Sequence, residues 1–182
     1  MSTVVENLSL GSNSVATERD MRLSECFGPR VDQFLDQTFP RLFEAQVILD
    51  PAQVAVVSED AQLTYGELNA RANQLARALR KRGVGRESLV GICIDRSLDM
   101  AAGILGILKS GAAYLPLDPD YPAERLAWLL NDSGVSLVVT KSKLSTQLAA
   151  NNTSVVLLDA DAADIFSNSA ENLEGPPEPN DL

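Results

Sequence analysis

From Leu89 onward the chain alternates short apolar runs with helical periodicity, and this alternation limits the available folds more than any other feature. Leu89 to Ile94 is a near-continuous apolar run, as in a strand buried on both faces. Ser97 is placed to cap a helix, with Asp99 in its first turn where a carboxylate favours the helix dipole. That helix, MAAGILGILKSG, is apolar almost all round and is expected to be buried on more than one side. AAYLPLDP reads as a short strand and a turn. Pro122 then opens a helix that turns Leu126, Leu129 and Leu130 inward and stops at Gly134. Val135 to Thr140 and Ser154 to Leu158 are two more strands, with a short helix near Leu144 to Ala150 between them. Strand–helix alternation at this spacing predicts an α/β fold: a partial, mostly parallel sheet with flanking helices and right-handed crossovers.

Upstream the pattern differs. Residues 1–37 are polar, weakly periodic and rich in Ser and Asn, and read as a flexible lead-in or linker, with some helix around Asp32 to Asp36. Ordered structure is expected over residues 38–182. It begins with a helix capped by Thr38, with Pro40 in its first turn and Phe39, Leu42, Phe43 and Val47 on one face, closed by Pro51. Val54 to Val57 and Leu63 to Tyr65, separated by Ser58-Glu59-Asp60, read as a hairpin. Thr64 and Glu67 have the spacing of a capping box, in which hydroxyl and carboxylate satisfy each other's backbone amides. Leu63 and Leu68 occupy the hydrophobic-staple positions around it. The helix that follows, to about Arg82, buries Leu68, Ala72, Leu75, Ala76 and Leu79, and Gly83 stops it. The tail from about Asp159 holds acids and no basic residue, and ends in the loop-forming run EGPPEPNDL.

Composition excludes several function classes. A formal charge of −10 argues against nucleic-acid binding, which needs clustered Lys and Arg, and against anionic lipid surfaces. The N-terminus lacks the basic and apolar regions of a secretory signal. The longest apolar run, Met100 to Leu108, falls far short of the roughly 20 residues of a membrane span. A cytoplasmic location follows by elimination. Two cysteines, Cys26 and Cys93, are too few for a disulfide framework, and Cys93 reads as a buried thiol. With no histidine in the chain, Ser–His and Cys–His pairs and His-rich metal sites are absent.

No motif assembles into a catalytic site. Gly83-Val84-Gly85-Arg86-Glu87-Ser88 has the look of a dinucleotide loop, but it follows a helix and enters a strand, the reverse of what phosphate binding needs. Arg71, Arg77, Arg80, Lys81, Arg82 and Arg86 form either an anion or partner patch or a solvated face, and the solvated face is the simpler reading. Asp118 and Asp120, beside Tyr114 and Tyr121, sit among prolines where turn and cap roles explain them. Gly103 and Gly106 are expected to let a neighbouring element pack closely. No G-x-x-x-x-G-K-[ST] loop occurs.

Two longer strings carry a family resemblance. LTYGELNARANQLARALRKRGV, Leu63 to Val84, resembles the first core motif of adenylation domains in nonribosomal peptide synthetases; its positions here include Leu63, Thr64, Tyr65, Glu67 and Leu68. LKSGAAYLPLDPDYPAERL, Leu108 to Leu126, resembles the second, written L-K-A-G-x-A-Y-L-P-L-D-P, through Lys109, Gly111, Ala113, Tyr114, Pro116 and Asp118. FEAQV, DPAQVAVV and SLVGICIDRSLDM extend the match over residues 38–182. The resemblance implies the N-terminal part of the large subdomain of an adenylate-forming enzyme. In the full form, ATP and Mg²⁺ convert an amino acid to an aminoacyl-adenylate, and the acyl group passes to a carrier protein's phosphopantetheine thiol. The family's T-S-G-S-T-G-x-P-K-G loop is expected beyond Leu182, so no catalytic, cofactor-binding or metal-binding residue carries over, and both motifs present are structural in the family. The chain is therefore expected to be inactive alone, its partner being the remainder of a synthetase. The alternatives are half of a split enzyme completed in trans by a complementing chain, and a non-catalytic interaction module. On this reading the sheet leaves an unpaired edge and an uncovered apolar face.

Overall fold

The computed structural model describes residues 37–59, 61–148, 153–175 and 178. Apart from Gln37, the lead-in expected over residues 1–37, Cys26 included, lies outside the described residues.

Helix α1 (Phe39–Leu49) carries Pro40 in its first turn, where the missing N–H is no loss. Thr38 stands at its N-cap but makes no side-chain cap, and its buried hydroxyl has no hydrogen-bond partner. Strands β1 (Val54–Val57) and β2 (Gln62–Thr64) form an antiparallel hairpin with Val54 opposite Thr64. Tyr65, expected at the end of the second strand, is instead the first residue of helix α2 (Tyr65–Lys81), because the capping box turns the chain at Thr64. The box is complete: the Glu67 N–H donates to Thr64 Oγ1 at 3.2 Å and the Thr64 N–H to Glu67 Oε2 at 2.8 Å. Leu63 and Leu68 are both buried in one cluster, as a staple requires.

Beyond the turn at Gly83, which takes a positive φ, come β3 (Leu89–Cys93), α3 (Leu98–Ser110), β4 (Ala113–Pro116), α4 (Ala123–Ser133), β5 (Leu137–Thr140), α5 (Ser142–Leu148) and β6 (Ser154–Leu157). The strands form one parallel sheet in the order β4-β3-β5-β6. Side chains alternate across it. Val90, Ile92, Leu137 and Val139 pack with Leu75, Leu79 and Ile107 of α2 and α3, while Cys93 and Val138 pack with Leu126 and Leu130 of α4 and Leu148 of α5. Both faces of the sheet are therefore covered, which corrects the expected uncovered apolar face. The exposed apolar surface lies instead mainly on α1 (Phe39, Ile48, Leu49) and at Val57 and Trp128. Strands β4 and β6 are the outer strands, and among the described residues nothing pairs with their free sides.

Ser97 occupies the N-cap of α3, yet its hydroxyl donates to the Asp95 carbonyl at 3.0 Å and caps nothing. The tail from about Asp159, for which the sequence predicts no element before its final loop-forming run, contains a short helix, α6 (Ala162–Phe166), followed by a strap that runs to Gly175 along α2.

Candidate functional site

The two motif strings meet in space. Asn69, Asn73, Arg77 and Arg80 recur at helical spacing along one stripe of α2, beside the leucines that face the sheet. Arg80 donates through Nε to the Ser110 carbonyl at 3.1 Å and through Nη2 to the Lys109 carbonyl at 3.3 Å. These are C-terminal carbonyls of α3, without intrahelical partners, where a cation also suits the dipole. Gly111, at φ 96°, closes that helix in the left-handed conformation which favours glycine. A residue of the first motif thus holds the helix end that forms the second.

Lys109 makes the junction deeper. Its side chain is 2 % exposed, and its ammonium donates to the Glu44 carboxylate of α1 and to Asn73 Oδ1 of α2, the latter at 2.8 Å. Burial pushes its pKa down, while the hydrogen bond and the charge of Glu44 oppose that shift. Asn73 in turn donates to the Ala170 carbonyl at 2.8 Å and to Asn172 Oδ1 at 3.1 Å, and Asn69 donates to the same Asn172 oxygen at 2.8 Å.

Arg77 and Arg80 depart from the solvated-face reading, while Lys81, Arg82 and Arg86 are exposed as it expects. Arg77 donates to the carbonyls of Ser169, Glu171 and Asn172, Arg80 to those of Glu174 and Gly175, and Gln74 to those of Phe166 and Asn168. Arg82 pairs with Asp161 and Asp164, Arg71 with Asp99, and Arg86 with Glu178. The stripe is a clamp for backbone carbonyls of the chain's own tail. The spacing of Asn69, Asn73, Arg77 and Arg80 is a sequence signal that would have suggested it. Nothing local in the sequence marks Glu44 as the partner of Lys109.

The remaining motif residues lie elsewhere. Tyr65 packs on Phe43 with ring centroids 5.3 Å apart, at one wall of an apolar groove of about 560 Å³ between α1, the hairpin, α2 and α3. Ala113, Tyr114 and Pro116 are in β4. Asp118 Oδ1 accepts the Asp120 N–H at 3.0 Å and the Asp118 carbonyl accepts that of Tyr121, as turn residues do. This turn borders a crevice of about 530 Å³ at the C-terminal ends of β3 and β4, lined by Ile94, Asp95, Arg96, Met100, Asp118 and Tyr121 among others.

In a parallel sheet of this order, the connections reverse direction between β3 and β5, the usual place for a ligand. Around that point Lys141 pairs with Asp99, Lys143 with Asp95, and the Thr140 hydroxyl donates to the Cys93 carbonyl at 2.7 Å. Cys93 is buried and free, its thiol pushed up to about 11 by burial first and then by Asp95 and Asp118, so it is no nucleophile.

Comparison with known proteins adds the family context. Residues 43–182 match the family described as AMP-binding enzyme. Gramicidin S synthase 2 of Brevibacillus brevis is 43 % identical over 171 residues, which is 93 % of this chain and 4 % of that protein. Tyrocidine synthase 3 of Brevibacillus parabrevis is 54 % identical over 114 residues, 63 % of this chain and 2 % of that protein. The chain thus spans a few per cent of these relatives' length. Among solved structures, the nonribosomal peptide synthetase FmoA3 in its α-methyl-L-serine-AMP bound form aligns with a TM-score of 0.73 and 34 % identity, over 80 % of this chain and 16 % of that one. The N-terminal subdomain of Klebsiella oxytoca NpsA aligns with a TM-score of 0.67 at 20 % identity, over 79 % of this chain and 36 % of that one, a likeness of fold alone.

Proposed function

This chain belongs to the AMP-binding enzyme family, as part of an adenylation domain of the nonribosomal peptide synthetase type, and on that premise we propose that it is the scaffold half of an amino-acid-activating site. The complete domain activates an amino acid with ATP and Mg²⁺ to an aminoacyl-adenylate and passes the acyl group to a carrier protein's phosphopantetheine thiol. The observation that carries the reading is the match of residues 43–182, which hold both motif strings, to the AMP-binding enzyme family, beside the likeness to a synthetase structure with α-methyl-L-serine-AMP bound.

On this reading ATP and Mg²⁺ are held by the rest of the domain, and none of the described residues is assigned to them. The Gly83–Gly85 turn leads into a strand, and its Gly85 N–H is taken by Ser88 Oγ at 3.1 Å. Among the described residues no group of three or more His, Cys, Asp or Glu is placed to hold a metal ion. No catalytic step is therefore assigned to them; they hold the sheet, the motif junction and the strap in place. Leu63, Thr64, Tyr65, Glu67, Leu68, Lys109, Gly111, Ala113, Tyr114, Pro116 and Asp118 serve as structural positions on this reading.

The natural partner is the rest of a synthetase, in a cytoplasmic setting; no helix among the described residues is long and apolar enough to cross a membrane. Completion in trans by a separate chain is the second reading, supported by the open groove beside α1 and the unpaired outer strands. ATP–pyrophosphate exchange with a panel of amino acids tests both. The 182-residue chain alone is expected to show none, and the chain fused to the remainder of an adenylation domain is expected to exchange with a defined amino acid. Exchange by the chain alone would refute the scaffold role, and no exchange by the fusion would refute the assigned activity. Exchange restored by mixing the two separate chains selects the split reading.

A further inference from the structure

Helix α1 and the strap along α2 meet at one buried charge. Glu44 of α1 supplies the only carboxylate that reaches the Lys109 ammonium among the described residues. Asn73 holds the strap, Asn168 to Gly175, through the Ala170 carbonyl and Asn172. Between them stands Lys109, donating to Glu44 on one side and to Asn73 Oδ1 on the other.

Asn73 is fully buried, so its amide has one orientation that satisfies all its partners: oxygen toward Lys109, nitrogen toward the strap. A buried ammonium that loses its counter-charge must find water or move, since an uncompensated buried charge costs several kcal/mol. Leaving its place, Lys109 withdraws the donor that fixes the Asn73 oxygen, and the amide is then free to turn its nitrogen away from the strap.

We propose that Lys109 is a positioning residue that couples the seating of α1 to the seating of the strap, an ionic latch between the two segments. Displacement of α1 by a neighbouring segment would thereby loosen the strap, on the far side of α2, without disturbing the sheet. The groove beside α1, with Phe39 and Phe43 on its wall, gives such a segment a place to act.

Hydrogen exchange read by mass spectrometry on the 182-residue chain tests the coupling. Glu44→Gln keeps size and removes charge. It is expected to speed exchange of the strap's hydrogen-bonded amides, Asn168 and Glu171, by about tenfold, the effect of losing one charge-assisted hydrogen bond, while amides of β3 and β5 keep their rates. In a Lys109→Met background, where no buried charge needs Glu44, the same Glu44→Gln change is expected to leave the strap unaltered. Should Lys109→Met not fold, Asn73→Leu serves the same cycle by cutting the link to the strap and keeping the ion pair. Arg77→Gln, which loosens the strap directly, is expected to speed the strap and leave α1 unchanged. A Glu44→Gln effect confined to α1, one spread evenly over the sheet, or one of equal size in the second background overturns the proposal.

Discussion

Gly106→Ala and Gly103→Ala place the same methyl group on the same helix, three residues apart, and the structure predicts a loss of stability at the first and near-neutrality at the second. A Cβ at Gly106 meets Leu75 of α2 at 2.8 Å from Cδ2, 3.0 Å from Cγ and 3.1 Å from Cβ. Carbon atoms prefer about 3.5–4.0 Å. The clash includes the stem of Leu75, which a rotamer change cannot move, so α2 and α3 must part by several tenths of an ångström. Overpacking of this kind costs about 1–3 kcal/mol, and replacing a mid-helix Gly by Ala offsets about 0.8–1.0 kcal/mol of it. A Cβ at Gly103 meets only the terminal Cδ1 of Ile92 at 2.8 Å, with other atoms at 3.6 Å and beyond. Turning that methyl costs about 0.5–1.5 kcal/mol, which the same helix gain cancels. The two alanines should therefore differ by about 1 kcal/mol, with Gly106→Ala the less stable. Urea unfolding of the 182-residue chain, followed by circular dichroism, reads this as a midpoint lower by about 0.3–1 M at typical slopes. Adding Leu75→Ala should recover part of the loss, because the new methyl then enters the space vacated. A Gly106→Ala midpoint equal to or above that of Gly103→Ala would refute the close approach of the two helices.

Thr64→Ala removes one arm of the capping box and should destabilise the chain by about 1 kcal/mol in the same unfolding experiment; an unchanged midpoint would show that the cap contributes nothing. The Glu67 carboxyl is held below the usual carboxylate range by the Thr64 N–H first and then by the Thr64 hydroxyl. Its contribution is thus present above the unfolded value of about 4.3 and lost as pH falls through the lower folded value, and an NMR titration of Glu67 with a midpoint at or above that unfolded value would contradict it. Cys93, with its thiol near 11, carries roughly a thousandth of its population as thiolate at pH 8, so iodoacetamide should label its peptide only after unfolding.

What the sequence disclosed is what is local. The capping box at Thr64 and Glu67, the positive-φ stops at Gly83 and Gly134, and the apolar run of β3 each state their geometry within a few residues. Even so, a cap position does not guarantee a cap bond: Thr38 and Ser97 stand at N-caps with their hydroxyls turned elsewhere. The Lys109 junction was invisible because its partners lie 65 and 36 positions away, and a lysine after an apolar run reads as a helix end. The strap was invisible for another reason. Its capture is mostly through backbone carbonyls, which every residue type offers, so the tail's own sequence carries almost no mark of it. The arginines that do the capturing also suit a solvated helix C-terminus, and composition alone cannot separate the two roles.

That ambiguity resolves once α2 is considered as a two-sided element. Its leucines face the sheet and α3; its Asn and Arg stripe faces the strap. Arg80 joins the two sides, holding the end of α3 with Nε and Nη2 and the strap with Nη1 and Nη2. A change at Arg80 should therefore act on both motif strings at once, whereas a change at Arg77 should act on the strap alone. The two strings, read as separate signatures along the chain, are one packed unit in space, and their separation in sequence is set by the β3–α3 pair that brings Lys109 back under Asn73.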